Sequence, residues 1–267
     1  MTMFETAKNR AKLKSSGVID SRTLENSHKR LREIIRPGMT ILDVGCGTGA
    51  ITSGIAKVVG VEGKVVGMDN NPELIAKARE KYKDTPGLTF LEGDIYNLPF
   101  YNEFDVVTSA RVLQWLAQPQ EALKNMVKAT KLGGKVIVLD YNHVKIKWEP
   151  EVPKSMKYFY DAFLRWRSES GMDNTIADKL SGMFKAVGLE EVKITAQHEE
   201  SMRQDKDFQT HIAIWAGVAS VKGAQMVSEG FIEEKQREVA ECDYKKWIEE
   251  EAKRQFMYLL AAEGVKV

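Results

Sequence analysis

No stretch limits the possible folds of this chain as much as Thr40 to Ala50, T-I-L-D-V-G-C-G-T-G-A. Apolar residues run straight into three glycines at alternate positions, Gly45, Gly47 and Gly49, and an apolar, helix-like segment follows from Ile51 to Val59. The pattern predicts a buried strand that turns sharply into a helix. Glycines at such a turn adopt dihedrals closed to other residues and clear side chains from a ligand's path. They also leave backbone N–H groups at the positive end of the helix. A ligand is therefore expected to approach the backbone there.

Gly45, Gly47 and Ala50 also satisfy the G-x-G-x-x-G/A spacing of dinucleotide binders. Three acidic positions bear on the choice. Asp43, inside the strand end, would face a diphosphate in a nicotinamide site, whereas a carboxylate suits a cationic ligand better. Val65-Val66-Gly67-Met68-Asp69 forms a second short strand ending in an acid placed to accept hydrogen bonds from ribose hydroxyls. Leu91-Glu92-Gly93-Asp94-Ile95 ends a third strand with an acid able to receive an adenine amino group.

With these features in order, the chain resembles the class I S-adenosylmethionine-dependent methyltransferases of small-molecule type. The matching segments are D-V-G-C-G-T-G at Asp43 to Gly49, M-D-N-N-P-E at Met68 to Glu73 and G-D-I at Gly93 to Ile95. They continue with F-D-V-V-T-S-A-R-V-L-Q-W at Phe104 to Trp115 and L-G-G-K-V at Leu132 to Val136, where the family commonly has Pro-Gly-Gly. The resemblance implies an α/β fold, a Rossmann-like seven-stranded, mostly parallel sheet with an inserted helical lid. It implies S-adenosylmethionine as cofactor: Asp43, Gly45, Cys46, Gly47 and Gly49 at its methionine end, Asp69 at the ribose, Asp94 and Ile95 at the adenine, and Asn70 among the other residues that bind it. Ser109, Ala110 and Arg111 would form the wall near its amino-acid moiety. The alternatives are a binding module that has lost transfer, and a nicotinamide-dependent reductase, against which Asp43 and Asp94 argue.

At 267 residues the chain suits one α/β core with a sizeable insertion. Its 39 basic and 38 acidic residues nearly cancel without a long single-sign run, which disfavours nucleic acid and membrane surfaces as partners. The partner expected is a small-molecule methyl acceptor. Cys46 and Cys242 are too far apart in sequence to suggest a structural disulfide, and with no apolar signal core or membrane span a soluble, cytoplasmic protein is expected. His28, His143, His198 and His211 are scattered without helical pairing, so no metal site is expected. His143, just beyond the fifth strand, is a candidate base for a hydroxyl acceptor.

Residues 1 to 20 are polar and mixed and suggest a loose arm with some helix. A leading helix spans Ser21 to Arg36, stopped by Pro37-Gly38. From Thr40, strands and helices alternate with short connections, the mark of parallel strands with right-handed crossovers. Asn71-Pro72-Glu73 reads as cap, first-turn proline and first-turn acid of a helix. Residues 1–140 are expected to form the cofactor-binding core, and 141–267 to supply lid segments, 141–172 and 202–250, with the strands that complete the sheet. Met156, Phe159, Tyr160, Phe163 and Leu164 share one helical face. Thr175 to Val187 is a helix, Val192 to Ala196 a strand, and Phe256 to Ala262 the last strand. Phe208 to Val227 is an apolar helix, while the charge of Glu229 to Glu251 suggests a solvated helical face. Gln114, Trp115, Tyr160 and Trp215 are expected to line the acceptor pocket beneath this lid.

Overall fold

The computed structural model describes residues 2–11 and 21–267. The part of the amino-terminal arm expected at 12–20 lies outside the described residues. Helix α1 (Met3–Ala11) precedes two short helices, α2 (Leu24–Ser27) and α3 (Lys29–Ile34). The single helix expected over Ser21–Arg36 is thus broken at His28, whose backbone is non-helical at φ −148° and ψ 58°. The fully buried His28 ring lies 3.4 Å from the Thr108 hydroxyl, so a tertiary contact overrides the helical periodicity.

Strands and helices then alternate: β1 (Thr40–Val44), α4 (Ala50–Val59), β2 (Lys64–Asp69), α5 (Pro72–Lys81), β3 (Leu88–Glu92), β4 (Phe104–Ala110), α6 (Pro119–Ala129) and β5 (Thr130–Tyr141). The Asn71 side chain caps α5 by accepting from the N–H groups of Glu73 and Leu74. The second half holds β6 (Lys147–Glu149), α7 (Lys154–Glu169), α8 (Ile176–Ala186), β7 (Leu189–Ala196) and β8 (Glu199–Met202). It closes with α9 (Phe208–Ile212), α10 (Ile214–Ser228), α11 (Glu234–Glu250), β9 (Arg254–Met257) and β10 (Leu259–Lys266).

The large sheet has the order β3-β2-β1-β4-β5-β10-β7. Pairings from β3 through β5 are parallel, while β10 runs antiparallel to both β5 and β7. This is the seven-stranded, mostly parallel, Rossmann-like α/β architecture. Period-two alternation supplies both faces. Ile41, Val65, Val106 and Ile137 pack with Leu24, Leu31 and Ile55 on one side. Their neighbours Leu42, Val66, Val107 and Val136 pack with Leu123, Met126, Leu180 and Phe184 on the other. Chain order reverses direction between β1 and β4, which opens a crevice at the carboxyl ends of these strands.

Three features depart from the expected elements. The segment expected as one strand over Phe256–Ala262 is two strands separated at Tyr258. A second sheet, β6-β9-β8, pairs two short segments for which no strand was expected with the first of those two strands. The charged helix α11 is not merely a solvated face. It buries Ala240, Tyr244, Trp247 and Ile248 in an apolar cluster with Phe159, Phe163 and Trp166 of α7 and Trp215 and Ala219 of α10. Burying each such large side chain stabilises by roughly 1.5–3 kcal/mol.

Candidate active site

One cavity of 370 Å³ runs from the crevice into this apolar cluster. At one end the wall is the β1–α4 turn. The Gly45 and Cys46 N–H groups both donate to the Met68 carbonyl, at 2.7 and 3.0 Å, which folds the turn back across β2. Gly45 has φ +77°, and a Cβ there would stand 2.3 Å from a Val112 methyl. Gly47, at φ +56°, lines the cavity, and among the described residues a Cβ there would meet no atom within 4 Å beyond its chain neighbours. The turn therefore keeps open a space bounded by bare backbone.

Asp69 closes the next part of the wall. Its Oδ2 accepts from the Gly47 N–H and its Oδ1 from the Asn71 N–H, both at 2.9 Å. Burial raises its pKa above the usual carboxylate range, against the pull of these backbone donors. Cys46, Asn70 and Ile95 complete this end of the cavity, and burial pushes the Cys46 thiol well up, away from thiolate. Cys46 and Cys242 are both free.

Ala110 and Arg111 lie between the two ends. Arg111 directly follows β4 in the left-handed region, φ +63°, an uncommon conformation for a residue with a side chain. Its Nε donates to the Tyr141 hydroxyl at 2.9 Å, and its guanidinium pairs with Glu199. Burial works against ionisation of Glu199, but Arg111 and Arg22 more than offset it and hold the carboxylate below its usual range.

The far end is aromatic. Gln114, Trp115, His143, Phe163 and Trp215 contribute to it, with Val218, Val221 and Lys222 from α10. His143 is buried, and burial followed by the charge of Arg167 drives its pKa well below the ordinary histidine value. Its Nε2 faces Gln114 Oε1, while Gln114 Nε2 donates to the Arg111 carbonyl at 3.1 Å. This amide orientation makes His143 Nε2 the protonated nitrogen and leaves the lone pair on Nδ1.

Five residues expected at the site are not among those that line the cavity. Asp43 is buried and accepts from the Thr52 hydroxyl at 2.7 Å, and burial pushes its pKa up to about 6. Gly49 packs against the Phe90 ring, leaving no room for a Cβ. Asp94 caps the turn at Tyr96 and pairs with Lys8 of α1 at 2.7 Å. Ser109 is fully buried. Tyr160 donates its hydroxyl to the His143 carbonyl at 2.7 Å and sets its ring edge-on to Trp215, bracing the aromatic end from outside. Phe163, one of the aromatic residues expected in the cover, lines the cavity, and so do Arg22, Tyr141 and Lys222, which were not expected there. Lys222 carried a usable signal, because it is the only charged residue in the otherwise apolar α10 sequence I-W-A-G-V-A-S-V-K-G-A-Q-M-V-S.

Among the described residues no group of three or more His, Cys, Asp or Glu side chains could hold a metal ion. No described helix is long and apolar enough to cross a membrane. The open glycine turn and the carboxylate at the β2 end, with a buried aromatic wall further along the same cavity, fit an adenosyl cofactor with a polar sugar and a cationic sulfonium that carries the reactive methyl group.

Comparison with known proteins agrees. The profile of the methyltransferase domain matches residues 35–209. The chain is 31% identical over 172 residues to a demethylmenaquinone methyltransferase of Staphylococcus haemolyticus, covering 60% of this chain and 72% of that one. It is 33% identical over 177 residues to the ubiquinone/menaquinone biosynthesis C-methyltransferase UbiE of Burkholderia vietnamiensis, covering 60% and 70%. The solved structure of a SAM-dependent methyltransferase from Aquifex aeolicus superposes with a TM-score of 0.53 over 98% of both chains, at 16% identity, a likeness of fold. The chain belongs to the methyltransferase-domain family and is a class I S-adenosylmethionine-dependent methyltransferase.

Proposed function

We propose that the cavity binds S-adenosylmethionine along the β1–α4 turn and Asp69 and presents its methyl group to a small, partly apolar, aromatic acceptor held by Trp115, Phe163 and Trp215. The observation that carries this reading is the continuity of one cavity between the glycine turn and the aromatic cluster. The names of the two relatives, both quinone-pathway methyltransferases, point to the same acceptor chemistry. A small molecule, not a nucleic acid, suits so enclosed an aromatic wall.

When bound, the cofactor supplies an activated methyl group on a positive sulfur, so the chain's task is alignment and exclusion of water. Asp69 holds the ribose through the lone pairs its backbone donors leave over. Ile95 and Asn70 bound the adenosyl end. The rings of Trp115, Phe163 and Trp215 fix the acceptor plane and keep the reaction dry. His143, neutral and weakly basic in its buried position, shapes the wall and is a poor proton acceptor at neutral pH.

Melting the protein with S-adenosylmethionine, S-adenosylhomocysteine and NADH tests the cofactor half of this reading. At one hundred times its dissociation constant a ligand adds about 2.7 kcal/mol, a shift of several degrees. The two sulfur cofactors are expected to give it and NADH none. Transfer of labelled methyl from S-adenosylmethionine to reduced demethylated quinones tests the other half. No incorporation into any aromatic acceptor of a metabolite extract would overturn it.

A further inference from the structure

The acceptor half of the cavity is apolar in shape and positive in charge. Among the described residues that line the cavity, the charged side chains are Arg22, Arg111, Lys222 and Asp69. Asp69 belongs to the opposite end, and Arg111 already pairs with Glu199. Lys222 is different in setting, since it projects from α10 beside Trp115 and Phe163, its side chain buried and its ammonium 5.4 Å from the Trp115 ring centroid. Its Nζ donates to the Arg10 carbonyl at 2.5 Å, which ties the last turn of α1 to α10 and fixes the ammonium at the cavity wall. Glu229, the nearby carboxylate, is engaged by Arg10 and by the Trp166 indole at 2.9 Å.

A cation kept in an apolar wall interacts with an opposite charge far more strongly than in water. Holding it there costs desolvation, which burial expresses by lowering the Lys222 pKa to about 8. Any apolar side chain of similar length would pack on Trp115 without that cost. The lysine ties α1 to α10 through the Arg10 carbonyl and also keeps at the cavity wall a positive charge that an apolar side chain would not supply.

We propose that Lys222 is a specificity-determining residue whose ammonium receives an anionic oxygen, a carboxylate or a phenolate, on an otherwise apolar acceptor. This rests on the reading of the cavity as joined donor and acceptor sites. An anionic nucleophile meeting a sulfonium loses charge as the transition state forms, so the dry wall favours the reaction, while the Lys222 ammonium acts on binding and selects the ionised acceptor.

The test is calorimetric titration of two ionised probes and their neutral counterparts into the full chain saturated with S-adenosylhomocysteine at pH 7. The probes are 2-naphthoate against 2-naphthamide, and 2,4-dinitrophenolate against 2,4-dinitroanisole. Wild type is expected to prefer at least one ionised member by about tenfold. Preference in one pair only identifies carboxylate or phenolate as the source. Lys222→Met should abolish the preference and Lys222→Arg should retain it, with affinity for S-adenosylhomocysteine changed less than about twofold in both.

Equal binding within both pairs by wild type, or a preference that survives Lys222→Met, would overturn the proposal. So would a tenfold loss of S-adenosylhomocysteine affinity in a folded Lys222→Met protein, which would give the ammonium to the cofactor's own carboxylate. Should that variant not fold, wild type alone decides: its naphthoate preference should fall between pH 7 and 9 as the ammonium loses its proton, and a constant preference would count against Lys222. The charged groups around it are Arg10 of α1, Arg167 of α7 and Glu229 beyond α10, with Arg237 of α11 packed on the adjacent Gly223. Failure of wild type to bind S-adenosylhomocysteine would count against the cofactor reading instead, and the probe preference would then be measured on the protein alone.

Discussion

Asp69 is the residue on which cofactor binding should depend most. Backbone donors from the β1–α4 turn and from the start of α5 hold its two oxygens in place, so its remaining lone pairs are preorganised for a pair of hydroxyls. Asp69→Ala is expected to weaken S-adenosylmethionine binding by about 1.5–3 kcal/mol in calorimetry, the range for charged hydrogen bonds. Unchanged affinity would remove Asp69 from the ribose. For His143, burial and Arg167 keep the ring neutral, so turnover should show no ionisation step near about 6.5, the ordinary histidine value. A step there that vanishes in His143→Ala would restore it as the base. Asp140 gives a pH signature of a different kind. Burial pushes its pKa up to about 7, although it accepts from the Tyr141 and Gln114 N–H groups. The native state then holds a proton that the unfolded chain releases near pH 4, so stability falls as pH rises from about 4 to about 7. Asp140→Asn escapes this loss. Relative to wild type it should gain up to about 1.4 kcal/mol per pH unit across that window in denaturant melts, and a pH-independent difference would mean that Asp140 ionises normally.

Among the elements, α7, α10 and α11 are expected to matter most for turnover. Their aromatic faces form one cluster, and α7 and α10 also contribute Phe163, Trp215, Val218 and Lys222 to the cavity wall. We propose that these helices act as a lid that opens for exchange and closes on the bound pair. The expected result is new hydrogen-exchange protection in 141–172 and 202–228 when S-adenosylhomocysteine and an acceptor bind together. Protection confined to 40–95 would mean that the cover is rigid. The elements that the sequence announced poorly are the short ones. Strands β6 and β8 are three and four residues long, too short to establish an alternation, so their pairing with β9 becomes apparent only when the chain is folded. The break between α2 and α3 has the same origin, a buried histidine contact that local periodicity does not encode.

Across the molecule, the two halves of the site were legible to different degrees. The donor half is built from strand ends and the turns that follow them, and there glycine spacing, strand-end acids and the Asn-Pro-Glu cap are local signals with local physical causes. Thr40 to Ile95 therefore announced the parallel core, the crevice and the cofactor class. Even there, contact decided which acids face the cavity: Asp43 turns to Thr52 and Asp94 to Lys8, whereas Asp69 stays at the wall. The acceptor half is assembled from residues 113–115, 141–163 and 214–222, far apart in the chain. Composition indicated that aromatic side chains there had to bury together. The partition of those rings between cavity wall and supporting layer, with Trp215 at the wall and Tyr160 behind it, depends on how α7 and α10 cross. The same holds for Lys222, whose neighbours and lowered pKa arise from packing α1, α7 and α10 around one point. Short-range backbone chemistry is written in consecutive residues and can be read there. Burial, desolvation and the choice of partner are properties of a place in space, and only the folded chain creates that place.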